Sequence, residues 1–145
     1  MIDFALRGAP VSNALKIAMM AHKGQVDRSG APYILHPLTV ASHMDTEAGF
    51  IAALLHDVME DSDYTAEDLL EAGIPAFIVD ALRLLTHDKS VPYLDYVSKI
   101  KDNDLAKAVK IADLTHNMDL SRLPFVTEKD WERLEKYKRA MEILA

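Results

Sequence analysis

The sequence predicts an all-α fold, and three observations carry that prediction. Apolar residues recur at helical spacing along nearly the whole chain. No stretch alternates with period two, and no Asn-Gly or Asp-Gly dipeptide marks a hairpin. Cap residues and prolines stand where helices would begin. With 145 residues, 50% of them hydrophobic, the chain can bury a real core and is too apolar for global disorder. We read residues 1–145 as a single compact domain of about eight helices.

The elements follow in order. Ser12 is placed to cap a first helix reaching Lys23, with Leu15, Ala18, Met19 and His22 on one side. GQVDRSGAPY then reads as a loop, with two glycines and a proline. Pro37 suits the first turn of a second helix, about 37–45, and should hold His36 outside helical angles. Thr46 caps a third, about 47–60, whose residues before His56 are apolar almost all round. Thr65 and Asp68 form a capping box for a fourth, about 66–72. Pro75 opens a fifth, to about Leu85, and Ser90 and Pro92 a sixth, to about Lys101. Asn103 caps a seventh, about 104–118. Thr127 and Asp130 box the last, about 128–144, which keeps Leu134, Tyr137, Met141 and Leu144 on one stripe.

Composition excludes several classes. A net charge of −7 argues against a nucleic-acid polymer as partner. No apolar run approaches the roughly 20 residues of a membrane span. Residues 1–10 lack a basic segment followed by an apolar one, so we expect no leader and a cytosolic protein. The absence of cysteine removes disulfides, thiolate zinc sites and a cysteine nucleophile. Oligomeric state is not legible.

The chemistry concentrates in three anomalies. The greasy third helix closes on His56, Asp57, Glu60 and Asp61. Carboxylates there meet both burial and the negative end of the helix dipole, and a divalent cation would relieve both penalties. Asp113 continues the buried face set by Leu105, Ala108, Val109 and Ala112, with His116 on the same line and Asn117 one turn on. His36 points off the entrance of the second helix. His36, His56, Asp57 and Asp113 make a nitrogen-and-oxygen set suited to Mn²⁺, Fe²⁺ or Zn²⁺. Such an ion lowers the pKa of a coordinated water. Glu60 and Asp61, one turn beyond, would activate or orient that water, or protonate a leaving group.

Lys23, Arg28, Lys89, Lys110 and Arg122 are candidates for phosphate contacts, although each alone is more often a solvated surface charge. Arg28 leads, because Ser29 and Gly30 adjoin it in a loop whose amides can also bind phosphate. His22 is expected to be buried and hydrogen-bonded, His43 to be at the surface, and His116 to pack beside a ligand or steady it. For His87, a loop position is the safer reading than a substrate-facing one. Tyr33 packs or stacks on a base, and the scattered methionines fill the core.

Three segments together resemble the HD-domain metal-dependent phosphohydrolases, and within them the hydrolase domain of RelA/SpoT-type alarmone enzymes. They are AHKGQVDRSGAPYILHP (21–37), AALLHDVMED (52–61) with Thr65 following, and VKIADLTHNM (109–118). The resemblance implies an all-helical hydrolase removing the 3′-pyrophosphate of guanosine tetra- or pentaphosphate, commonly with Mn²⁺. It implies His36, His56, Asp57 and Asp113 as metal ligands, Glu60 and Asp61 as the catalytic acidic pair, and Asn117 as a nucleotide contact. Three positions depart from the pattern. Asp27 stands where the family usually has a base-holding arginine, although Arg28 lies beside it. Leu114 replaces an arginine, and Thr86-His87 replaces Thr-Lys. Metal chemistry is thus implied as retained and base recognition as altered. Three other readings stay open: hydrolysis of another nucleotide, such as a nucleoside monophosphate or a phosphorylated dinucleotide; a non-catalytic nucleotide-binding or interaction module that keeps its metal; and a helical scaffold without metal.

Overall fold

Helix α3 (Glu47–Leu55) is the hub of the structure, a computed structural model that describes the backbone of residues 4–145 and side chains from Pro10 onward. Thr46 caps it by accepting from the Gly49 N–H. Ile51, Ala52, Ala53, Leu54 and Leu55 are all buried, so the helix is enclosed on every side. Around it lie α1 (Phe4–Ala21), α2 (Leu35–Ser42), α6 (Ala76–Leu85) and α8 (Asp104–Asn117). Further out are α4 (Val58–Asp61), α5 (Ala66–Glu71), α7 (Tyr93–Ile100), a 3-10 turn at Leu120–Arg122, and α9 (Glu128–Leu144). Among the described residues there is no strand, only an isolated bridge between Val26 and Pro32. The all-α expectation holds, with nine α-helices among the described residues where about eight were expected.

Most element starts obey local chemistry. Thr65 with Asp68, and Thr127 with Asp130, form complete capping boxes. Asn103 accepts from the Ala106 N–H, and Pro75 and Pro92 precede α6 and α7. Asp130 is buried because it also receives Arg28 and Arg133.

Three expectations require correction. Ser12 does not cap the first helix: α1 continues back to Phe4 with Pro10 inside it. Proline removes one N–H from such a helix and weakens it locally, but packing can carry the segment through. His36 is not outside helical angles: α2 starts at Leu35, and the His36 N–H bonds the Tyr33 carbonyl. Pro37 is tolerated because the first turn has no intrahelical use for its missing N–H. The third helix is not continuous to Glu60. It breaks at His56 and Asp57, where the ladder tightens to a His56 N–H to Ala53 carbonyl bond before α4 begins. The expectation of no leader concerns residues whose side chains lie outside those described. No helix among the described residues is long and apolar enough to cross a membrane.

Candidate metal centre

The break after α3 turns His56 and Asp57 out of the helix register and toward α2 and α8. His36, His56, Asp57 and Asp113 each present one ligand atom, and these atoms lie within 4.8 Å of one another. His36 Nε2 is 2.8 Å from Asp113 Oδ1 and 3.8 Å from Asp57 Oδ2. His56 Nε2 is 3.0 Å from Asp57 Oδ2 and 3.3 Å from Asp113 Oδ1, yet it is buried and aligned for a hydrogen bond with neither. A buried nitrogen without a partner, facing two carboxylates, fits a divalent cation.

Each of the four side chains is held by a neighbour. His56 Nδ1 donates to the Ala53 carbonyl at 2.6 Å, which leaves Nε2 as the lone-pair nitrogen. Tyr33 donates its hydroxyl to Asp57 Oδ2 at 2.5 Å. On Asp113, Oδ2 accepts from Lys110 Nζ at 3.0 Å, and Oδ1 accepts from Asn117 Nδ2 at 3.0 Å. His36 Nδ1 lies 2.7 Å from His116 Nδ1.

The cluster sets imidazoles and carboxylates against one another away from solvent. Burial pulls the His56 imidazole down, but the Asp57 and Asp113 carboxylates outweigh it and raise its pKa. Burial pushes Asp113 up, and Lys110, His36 and His56 hold it well below the usual carboxylate range. Asp57 is likewise lowered against burial, chiefly by His56. Asp61 goes the other way: burial and the Asp57 and Glu60 charges raise it to about 6. Burial, with Arg122 and His36 adding to it, lowers His116 to about 4.

Two clefts flank the cluster. The larger, about 420 Å³, is lined by His36, Asn117, Leu120, Leu134 and Tyr137 together with Arg28. The smaller, about 260 Å³, is lined by Asp57, Glu60, His87, Tyr93, Lys110 and Lys136. Glu60 faces this second cleft, and the His87 N–H donates to its Oε1 at 2.9 Å.

The structure brings together the four side chains expected as ligands, with Glu60 beside them. Asp61 does not line either cleft but a separate hollow with Met20 and Tyr64, because α4 turns it away from Glu60. Asn117 lines both clefts but spends its amide on Asp113. Arg28 lines the larger cleft while ion-paired to Asp130, and Ser29 donates its hydroxyl to Asp27. Lys23 lies elsewhere, on a third hollow beside His22 and Met19. Lys110 is no solvated surface charge: it is buried against Asp113 between the rings of Tyr93 and Tyr96. His87 does line the smaller cleft, with Nε2 donating to the Val91 carbonyl. Sequence reasoning missed Tyr33 and Lys110 as supports of the cluster. For Lys110 the available signal was spacing, since it sits three residues before Asp113 on one helix; Tyr33 lies 24 residues from Asp57 and gave no such signal.

No family model matches the chain. It is 38% identical, over 70% of its length, to a guanosine-3′,5′-bis(diphosphate) 3′-pyrophosphohydrolase of Haemophilus influenzae, and spans 17% of that relative. It is 34% identical to the human enzyme of that name, MESH1, with 89% of this chain and 79% of the relative covered. Among solved structures it matches a metazoan orthologue of SpoT that hydrolyses ppGpp, with a TM-score of 0.77 and 26% identity, covering 94% of this chain and 85% of that one. Fold, chain coverage and the His/Asp cluster agree: the chain belongs to the family of SpoT- and MESH1-type guanosine-3′,5′-bis(diphosphate) 3′-pyrophosphohydrolases.

Proposed function

We propose that this protein removes the 3′-pyrophosphate of guanosine 3′,5′-bis(diphosphate), with Mn²⁺ as the working cation and Fe²⁺ or Zn²⁺ as alternatives. The supporting observation is the meeting of His36, His56, Asp57 and Asp113 within 4.8 Å, at the join of two clefts of unlike chemistry. We read residues 1–145 as one catalytic domain acting in the cytoplasm on a small nucleotide.

When bound, the cation neutralises phosphoryl charge and makes water a stronger nucleophile. The chain's own groups supply the rest. The smaller cleft, with Lys110 and Lys136, suits the phosphate chain; the larger, with Leu120, Leu134 and Tyr137, suits the nucleoside. Water adds to the phosphorus next to the 3′ oxygen, the bond from that oxygen to phosphorus breaks, and pyrophosphate departs. One proton leaves the water and one reaches the 3′ oxygen. Asp61, at about 6, can exchange a proton near neutral pH. Glu60, fixed by the His87 amide, orients the water.

The test is purified protein with Mn²⁺ and guanosine 3′,5′-bis(diphosphate). Stoichiometric pyrophosphate and guanosine diphosphate are expected. Orthophosphate release instead, or turnover only of other nucleotides, would favour the second reading, a phosphohydrolase for a different nucleotide. One observation supports that second reading: at the wall of the larger cleft Asp27 is an acid, and Arg28 is tied to Asp130.

A further inference from the structure

The two histidines of the cluster owe their orientation to different kinds of group. A histidine whose Nε2 binds a cation must carry its proton on Nδ1. For His56 the main chain guarantees this, because Nδ1 faces only the Ala53 carbonyl, an obligate acceptor. For His36 no carbonyl does so. Its Nδ1 faces another imidazole, Nδ1 of His116, at 2.7 Å, with the ring planes 12° apart. One nitrogen must donate and the other accept. If His116 donated, the proton of a neutral His36 would be forced onto Nε2, the atom directed at Asp113, Asp57 and the ion site.

We propose that His116 is a positioning residue for the metal centre: its Nδ1 accepts the Nδ1 proton of His36 and thereby selects the ring form in which His36 Nε2 can bind the cation. The inference rests on the metal-dependent reading above. His116 itself then carries its proton on Nε2 and contributes no ligand. The helix register makes the arrangement possible. His116 follows Asp113 by three residues on α8, so one helix face presents both a ligand and the group that sets another ligand. Asn117 and Lys110, on the same helix, steady Asp113. Helix α8 thus orients two of the four ligands, and α2 supplies His36 to a partner already in place.

The experiment uses the full chain, stripped with chelator and titrated with Mn²⁺, free ion being read by its electron paramagnetic resonance. His116→Ala is expected to weaken binding about 10–100-fold, the cost of losing a group that orients a ligand. His116→Asn, whose Oδ1 replaces the accepting Nδ1, should recover most of that loss. The unaltered chain gives a second readout. In its Zn²⁺-loaded form, ¹⁵N spectra should show His36 protonated at Nδ1 and unprotonated at Nε2, with a coupling across to His116 Nδ1. Three results would overturn the proposal: His116→Ala binding Mn²⁺ as tightly as the unaltered chain, His116→Asn behaving like His116→Ala, or Zn²⁺-loaded His36 protonated at Nε2. A packing role alone would lower the metal-free melting temperature and leave affinity unmoved, which also counts against it. Absence of Mn²⁺ binding by the unaltered chain is a distinguishable failure: it removes the metal centre itself, and this inference with it.

Discussion

Replacing Lys110 by methionine isolates the charge that holds Asp113 in place. The variant keeps most of the stem volume and deletes the ammonium group. In the folded protein Nζ lies 3.0 Å from Asp113 Oδ2, and the two residues are only 9% and 5% exposed. At that separation, and an effective dielectric constant of about 20, the attraction is about 5.5 kcal/mol before desolvation is charged against it. The relevant loss is that of breaking a buried pair by removing one partner, about 3–5 kcal/mol. At about 2–4 °C per kcal/mol for a domain of this size, the metal-free melting temperature should fall by about 6–20 °C. A divalent ion changes the comparison, because it gives Asp113 and Asp57 a replacement cation and no longer meets the repulsion of Lys110. Stabilisation by Mn²⁺ should therefore be larger in Lys110→Met than in the unaltered chain. Circular-dichroism melts with chelator and with saturating Mn²⁺ measure both quantities. Equal losses in the two conditions, or none in either, would refute the assignment of Lys110 as the counter-charge of Asp113.

Three further outcomes are expected. Because the facing carboxylates raise His56, a proton there competes with Mn²⁺ for Nε2. Calorimetry in buffers of different ionisation enthalpy should show proton release on binding, with affinity falling as pH falls. Linkage runs with that sign: the stability this raised histidine gives the metal-free protein is full below its unfolded value of about 6.5 and is lost as pH rises through its folded value. Asp61 should impose an acid limb on activity at or below pH 6, since bound cation lowers it from its raised value of about 6. Asp61→Asn should abolish that limb and lower kcat, measured as a pH profile of kcat/KM. Thr65→Ala and Thr127→Ala each remove an N-cap and should cost about 1 kcal/mol in urea unfolding, with Mn²⁺ affinity unchanged.

Local chemistry was legible wherever it acted alone. The capping boxes of α5 and α9 and the proline starts of α6 and α7 fall where periodicity and caps place them. The meeting of His36, His56, Asp57 and Asp113 was legible too, because carboxylates and imidazoles on otherwise apolar faces demand compensation. The first helix was misread at its start, since Ser12 is a favoured cap residue, whereas α1 runs on through it and Pro10 to Phe4. The break at His56 was hidden because the apolar run continues smoothly into it, and only the need to aim two side chains at α2 and α8 makes it visible. Lys110 and Arg28 looked alike in one dimension, as isolated cations. In the fold one closes on Asp113 and the other on Asp130.

The order of residues along the chain determined which helices form and which side chains cannot be buried without a partner, because propensity, capping and hydrophobic period act over a few residues. Which partner each one finds was decided by tertiary packing. Tyr33 on Asp57 and His116 on His36 are pairings between groups 24 and 80 residues apart, which helical spacing does not foretell. These bonds of 2.5 and 2.7 Å are set by the relative placement of separate elements, and that placement exists only once the core around α3 has closed.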